Sequence, residues 1–218
     1  MKRFTFLFAC LVVAIVANAQ QETQKTDNEM QTLFGRDGKP ELGWFIGIDA
    51  GFTAFDDREV WLSGISLGMV IDHKYIIGLS GHGVSNRDGM FYPDITDSSG
   101  GYFEGGYGGL LLEYTLFPES IVHLTFPILI GGGAASYVSD KEYPEWDEDE
   151  WDTHHVNLDE DVFFVFEPGA RVEINLLKFM KFDAGVSYRY VGDLQMVNTS
   201  KDMMNNFTVT MGLKFGKF

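Results

Sequence analysis

Eight stretches of the chain alternate apolar residues with small or polar ones, and the connections between them alternate between short and long. The pattern is clearest at 43–53, where Ile46 and Ile48 alternate with Gly47 and Asp49. Successive side chains of a β-strand point to opposite faces, so each stretch has one apolar face and one small or polar face. This favours strands that face lipid on one side and a lumen on the other.

The pattern predicts an all-β fold, an eight-stranded antiparallel up-and-down transmembrane β-barrel. A bilayer offers no hydrogen-bond partner to backbone N–H and C=O groups, so strands cross it only as a closed sheet. An even strand number with long loops on one side places both chain ends in the periplasm and the long loops outside the cell. The predicted strands are 43–53, 60–71, 75–83, 101–117, 121–137, 164–176, 182–191 and 206–218, and the predicted long loops are 54–59, 84–100, 138–161 and 192–205.

The N-terminus carries an export signal. Lys2 and Arg3 precede the apolar run 4–16, and the small residues of 17–19 suit a signal peptidase. The predicted organisation is a signal peptide at 1–19, a flexible periplasmic segment at 20–42 and the outer-membrane barrel at 43–218. Cleavage after residue 19 removes Cys10, the only cysteine, so no disulfide is expected. Lipid attachment at Cys10 is disfavoured, because it would leave most of the apolar run on the product.

The mature chain is strongly acidic. Removing the signal leaves 14 basic against 32 acidic residues, a net charge of −18, which argues against a nucleic-acid partner. Eleven of the acidic residues lie between Asp140 and Asp161. The 138–161 loop is therefore predicted to be an acidic extracellular loop that could contact a partner, with Tyr143, Trp146 and Trp151 as candidate anchors. Its carboxylates, with His154 and His155, could also bind divalent cations, but 147–151 lacks the glycine turn and ligand spacing of a calcium loop. Cations that bridge the loop to lipopolysaccharide would need less order.

The interior is predicted to be plugged and polar, because an eight-stranded barrel is just wide enough for side chains to fill. Charged residues of both signs share the inward face, so opposite charges on neighbouring strands are expected to pair. These residues are Glu167, Arg171, Glu173, Asp183, Arg189 and Lys214. Aromatic residues near strand ends are expected to form the interfacial girdles. They are Trp44, Tyr75, Tyr188, Tyr190 and Phe215.

No catalytic, cofactor or metal site is predicted. Ser80 and His82 share one strand face, which leaves a lipid-modifying enzyme as an alternative with the pair as nucleophile and base. No third orienting residue is identifiable for them. His123 is assigned a structural role as an interior hydrogen-bonding residue. A narrow channel and a soluble ligand-binding barrel also stay open, although outward residues such as Phe164 and Val172 argue against the soluble barrel.

Several stretches resemble the small porin-like outer-membrane β-barrel proteins of Gram-negative bacteria, which are similar to OmpA/OmpX-type barrels. They are 108–114 (GGLLLEY), 123–127 (HLTFP), 167–171 (EPGAR), 188–191 (YRYV) and the final FGKF. The resemblance implies an integral outer-membrane location, a monomer, contact with membrane lipid and lipopolysaccharide, and insertion by the barrel-assembly machinery. A terminal phenylalanine is part of the insertion signal in that family, and Phe218 matches it. Phe218 departs from the pattern in having the opposite parity from Phe215, which implies either a bulge or a degenerate signal.

Overall fold

The structure, a computed structural model, describes residues 40–56, 58–86, 90–96, 99–139 and 156–218. Nine strands lie in the compact unit Glu41–Phe218. They are β1 Leu42–Phe55, β2 Arg58–Ile71, β3 Tyr75–Val84, β4 Phe91–Thr96, β5 Ser99–Leu116, β6 Val122–Ser139, β7 Val156–Leu177, β8 Met180–Val191 and β9 Asn206–Lys217. Among the described residues there is no helix long and apolar enough to cross a membrane.

Eight of the strands form a closed antiparallel ring. The order is β3-β2-β1-β9-β8-β7-β6-β5, and β5 pairs with β3 to close it. The short strand β4 pairs with the outer part of β5 as an additional strand. Closure pairs the backbone of every strand that crosses the membrane, as lipid requires. The predicted eight-stranded up-and-down barrel is therefore confirmed.

The strand pairing fixes the tilt of the barrel. Following paired residues from Ile65 through β1, β9, β8 and β7 leads to Val122 on β6. Following them the other way, through β3 and β5, leads to Gly132 on the same strand, ten residues away. A shear of ten over eight strands tilts the strands by about 40°, from ~3.3 Å per residue and ~4.8 Å between strands.

An apolar belt surrounds the barrel. Outward side chains such as Ile46, Ile65 and Leu79 are about half exposed, while their inward neighbours are buried. The ten residue steps of β1 from Leu42 to Phe52 correspond to a height of about 25 Å at this tilt, the height of the lipid-facing band of outer-membrane barrels. Aromatic rings mark the outer border of the belt. These are Phe52, Trp61, Phe164, Tyr188, Tyr190 and Phe207.

Two predicted loops contain strand. The 84–100 connection includes β4, and the 138–161 connection loses 138–139 to β6 and 156–161 to β7. The rest of that loop, 140–155, lies outside the described residues. Lipid-facing alternation could not locate these segments, because above the membrane both strand faces meet water or loops and the outward face need not be apolar. Leu42, predicted to belong to the N-terminal segment, begins β1, and residues 1–39 lie outside the described part.

The long strands β5, β6 and β7 continue past the belt at the end of the long connections. Their outer parts together with β4 are called the extracellular wall here, because the long loops are predicted to lie outside the cell, and the opposite end is called periplasmic. The wall's β7 edge is covered by the connection 192–205, because Asp161 Oδ2 accepts the N–H of Gln195 at 2.7 Å and Asp159 Oδ2 accepts the N–H of Val197 at 2.5 Å. Its other edge is covered by β4 through pairing with β5. Paired or covered edges limit unwanted strand addition.

The last residue turns into the barrel mouth. Strand β9 keeps a continuous register with β1 and β8, so no bulge explains the parity of Phe218. Its ring packs against a small apolar cluster at the periplasmic end, and Lys181 Nζ lies 4.1 Å from the ring centroid. The cluster consists of Phe45, Val70, Ile76 and Leu111. The bulge predicted as one cause of its parity is therefore excluded, and the aromatic ring of Phe218 does not face lipid.

Candidate functional site: the charged interior and the extracellular wall

An ionic cluster fills the periplasmic half of the interior. Glu173 is its centre: one carboxylate oxygen lies 2.7 Å from His123 Nε2 and 2.9 Å from Lys181 Nζ, and the other lies 2.9 Å from Lys214 Nζ. Lys214 also donates to both oxygens of Glu113, at 2.7 and 3.0 Å. The contact between Lys214 and Glu113 crosses the lumen, because β9 and β5 are not neighbours in the sheet.

The cluster balances its charges. An adjacent pair joins Arg171 Nη1 to Asp183 Oδ1 at 3.0 Å. Together the cluster contains three carboxylates and three permanent cations, namely Glu113, Glu173 and Asp183 against Arg171, Lys181 and Lys214. Buried charges are tolerated when each is paired and hydrogen-bonded. The three carboxylates and three cations therefore compensate one another within the cluster.

A second polar group lies nearer the outer end, around Arg189. This side chain is fully buried and donates to four oxygens: Met204 O at 2.9 Å, Tyr107 Oη at 3.2 Å, Thr53 Oγ1 at 3.3 Å and Thr208 Oγ1 at 3.4 Å. All four acceptors are uncharged groups. The expectation that Arg189 pairs with a carboxylate of a neighbouring strand is therefore wrong, because a loop carbonyl and hydroxyl groups occupy its donors.

Glu167 likewise has no ion pair among the described residues. It accepts a short hydrogen bond of 2.5 Å from Ser187 Oγ on the neighbouring strand β8. Its other oxygen is buried without a hydrogen-bond partner in the described part of the chain. All six charged residues predicted to face inward do so. Arg171 and Asp183 form the expected ion pair between neighbouring strands, whereas Glu173 and Lys214 pair across the intervening strand β8.

His82 bonds to an aspartate and not to a serine. His82 Nε2 lies 3.0 Å from Asp49 Oδ1, both side chains are buried, and the imidazole stacks on Tyr107 with 5.1 Å between ring centroids. The bond spans strand β2 at Gly64, where a Cβ atom would lie 2.5 Å from His82 Cδ2. Among the described residues no hydrogen bond joins Ser80 to His82. The nucleophile–base pair of the enzyme hypothesis is therefore not assembled in this structure.

An apolar core closes the outer end of the interior. It joins inward side chains of the strands to side chains of β4 and of the 192–205 connection, including four methionines. The methionines are Met90, Met196, Met203 and Met204. From outside to periplasm, the interior thus contains an apolar layer, a polar and charged layer, and the small apolar cluster under Phe218.

The extracellular wall has an acidic, shallow groove of about 440 Å³. Its lining includes Glu104, Glu160 and Asp161 beside Ala134 and Val162. The aromatic and histidine candidates of the predicted acidic loop, Tyr143, Trp146, Trp151, His154 and His155, lie outside the described residues. Within the described ranges, no three His, Cys, Asp or Glu side chains are arranged to hold a metal ion.

Burial raises the pKa of Tyr137 in the extracellular part, and two further groups there have shifted pKa values. Burial, with the nearby Tyr137, raises the pKa of Tyr92 to about 12. The hydroxyl group of Ser200 donates to Asp202 and holds the pKa of that exposed carboxyl below its usual value. Neither shift marks a reactive group, since each leaves its side chain in the ordinary protonation state at neutral pH.

Sequence reasoning missed two members of the ionic cluster. Glu113 lies on a strand whose many glycines left its facing undetermined, and Lys181 lies next to a turn, outside the predicted strand 182–191. His123 was expected to be an interior hydrogen-bonding residue, and the structure pairs it with Glu173. A search for inward parity extended one residue past each predicted strand end would have found Lys181.

No protein-family model matches the chain, and no curated protein matches it. The structure is similar to the crystal structure of Neisserial surface protein A, with a TM-score of 0.51 and 11% identity over 83% of this chain and 100% of that chain. It also matches the N-terminal β-barrel domain of Pseudomonas aeruginosa OprF, with a TM-score of 0.46 and 9% identity over 82% and 99% of the two chains. Ail of Yersinia pestis, solved with the heparin analogue sucrose octasulfate, matches with a TM-score of 0.45 and 13% identity over 82% and 99%.

At these identities the likeness is one of fold. It agrees with the closed eight-stranded ring and the apolar belt, which were established from the pairing and exposure of this chain. The likeness to Neisserial surface protein A confirms the predicted resemblance to small outer-membrane barrels at the level of fold. The apolar belt around the closed ring agrees with the predicted integral outer-membrane location.

Proposed function

We propose that this integral outer-membrane barrel is a closed, non-conducting, non-enzymatic scaffold that presents its extracellular wall to a partner. The observation that carries the proposal is the layered interior. A balanced ionic cluster lies between two apolar layers, and the lumen-crossing contact of Lys214 with Glu113 joins opposite sides of the ring. A path for ions would have to pass both apolar layers and break buried ion pairs, which costs several kcal/mol per ion.

The wall is the proposed interaction surface. Its strands stand above the membrane, and the groove beside Glu104 and Glu160 gives it a negative potential. The adjoining 140–155 adds eight acidic residues in the sequence. A negative surface attracts basic partners, and cations could bridge it to lipopolysaccharide. The remaining proposed contacts are membrane lipid, lipopolysaccharide and, during insertion, the barrel-assembly machinery, with the barrel as a monomer.

Conductance in planar bilayers tests the closed interior. The mature barrel is expected to give no single-channel steps. The matched variant Lys214→Ala with Glu113→Ala, which removes the lumen-crossing pair and leaves the apolar layers intact, is also expected to remain closed. Steady conductance of the unmodified barrel would refute the closed scaffold and favour the narrow channel.

The enzyme hypothesis has its own test. Envelope lipids of cells that express the barrel are compared by mass spectrometry with those of cells that express Ser80→Ala or His82→Gln. The proposed scaffold predicts identical lipid profiles in all three. A lipid product that disappears in both variants would overturn the non-enzymatic assignment.

A further inference from the structure

A groove of about 680 Å³ crosses the periplasmic mouth of the barrel. Three basic side chains line it, His73, Lys178 and Lys181, and no acidic side chain of the described residues does. Two of these three basic groups already have partners, because His73 Nε2 lies 3.2 Å from Glu41 and Lys181 is bonded to Glu173. In the part of the chain that the structure describes, no carboxylate pairs with the ammonium group of Lys178. Among the described lining side chains, Lys178 is therefore the cation left available to an anionic ligand.

The same groove has an apolar side that continues to the lipid-facing belt. Leu176 and Leu177 line it and are about half exposed. Next to them, Phe179 is 56% exposed on the β7–β8 turn and Ile121 is 72% exposed at the start of β6. Large apolar side chains this exposed at a turn indicate contact with a membrane or a partner. They lie at the short-turn end of the lipid-facing belt, which is the end predicted to face the periplasm.

We propose that this groove binds an anionic phospholipid of the periplasmic leaflet. Lys178 holds the headgroup phosphate, Lys181 adds positive charge behind it, and the acyl chains lie along Leu176, Leu177 and Phe179. Basic pockets at the membrane surface of integral proteins bind anionic headgroups in this way. Charge complementarity favours an anionic lipid over a zwitterionic one, and the apolar side favours a lipid over inorganic phosphate, which could use only the basic side.

The assignment is independent of whether the barrel conducts ions or binds an extracellular partner. It concerns the opposite end of the molecule from the extracellular wall, and its cation Lys178 is not part of the buried ionic cluster. A lipid held here would anchor the β5–β6 and β7–β8 turns in the leaflet, whereas the β2–β3 turn of Asp72, His73 and Lys74 is polar.

The test compares lipid retention by native mass spectrometry of the mature barrel in detergent. The barrel is mixed with equal amounts of phosphatidylglycerol and phosphatidylcholine of the same acyl chains. The expected result is preferential retention of phosphatidylglycerol, and Lys178→Gln should reduce that preference about fivefold, the effect of one lysine near an anionic surface. Lys74→Gln, a periplasmic lysine outside the groove, is the matched control and should keep the preference.

Two further arms distinguish a lipid seated in the groove from nonspecific adsorption and from a site for phosphate alone. Leu177→Ser should weaken retention of phosphatidylglycerol while leaving the barrel folded, as judged by its mobility on unheated gels. Millimolar inorganic phosphate should not displace the lipid. Equal retention of the two lipids by the unmodified barrel, equal loss in Lys178→Gln and Lys74→Gln, or full displacement by phosphate would each overturn the proposal.

Discussion

Replacing Lys214 by methionine should destabilise the barrel more than any other single change in the ionic cluster. The side chain of Lys214 is 4% exposed. Its Nζ lies 2.7 Å from Glu113 Oε1 and is the only ion-pair partner of Glu113 in the described residues. Methionine keeps much of the volume but removes the charge, so Glu113 is left buried and unpaired. Breaking a buried pair in this way costs about 3–5 kcal/mol.

A double-mutant cycle isolates that cost. Lys214→Met with Glu113→Gln removes both charges of the pair, and Glu173 retains His123 and Lys181. The double variant should therefore recover at least half of the stability lost in Lys214→Met, because no carboxylate is left without a partner. The measurement is urea unfolding in lipid vesicles, followed by tryptophan fluorescence and by the gel shift between folded and unfolded barrel.

The control is Lys181→Met. The side chain of Lys181 is more exposed, at 11%, than that of Lys214. Its partner Glu173 also keeps two other basic partners, His123 and Lys214. A loss of about 1–2 kcal/mol is expected there. If Lys214→Met costs no more than Lys181→Met, or if removing Glu113 as well restores nothing, the pairing of charges does not stabilise the interior and the argument is refuted.

Three further predictions concern single groups. Gly64→Ala puts a methyl carbon 2.5 Å from the imidazole it faces and should cost about 1–3 kcal/mol in urea unfolding, whereas Gly83→Ala, whose methyl group would meet nothing within 4 Å, should be nearly neutral. The pKa of Tyr92 is raised to about 12, so its contribution to the free energy of unfolding should be complete below about pH 10 and be lost as the pH rises to 12. Tyr92→Phe should remove the corresponding step from a titration of absorbance at 295 nm. Asp202 has a lowered pKa, so the Ser200 contact should contribute above about pH 4 and be lost as the pH falls through the folded pKa; in Ser200→Ala the carboxyl resonance should titrate at its ordinary value, and an unchanged titration would contradict the assigned cause.

The membrane-spanning part of the fold was predictable because lipid imposes a rule on every second residue. The facing of β1, β2, β7 and β9 follows from that rule, and the burial of alternate residues agrees with it. The rule ends where the strands leave the membrane. Strand β4 and the outer part of β7, which includes Asp159 and Asp161, have no lipid-facing pattern, so they were assigned to loops.

The partners of the interior charges were less predictable than their facing. The alternation along each strand shows which residues face the lumen. It predicts contacts only between side chains on neighbouring strands. Lys214 meets Glu113 across the lumen, 101 residues away in sequence, and Arg189 meets Tyr107 in the same way. The carbonyl group of Met204, which also accepts from Arg189, belongs to a connection whose course no periodicity describes.

The narrow bore of the ring explains why such contacts form at all. With eight strands tilted by about 40°, long side chains from opposite walls reach one another, so an inward charge meets partners on several strands at once. Glu173 shows this directly, since its three basic partners come from β6, β8 and β9. A substitution at any one of these positions therefore disturbs three strands, whereas a substitution on the extracellular wall disturbs a local hydrogen bond. The interior is therefore constrained by its own electrostatics, whereas the wall and the membrane-facing rim are the surfaces that the proposed partners would contact.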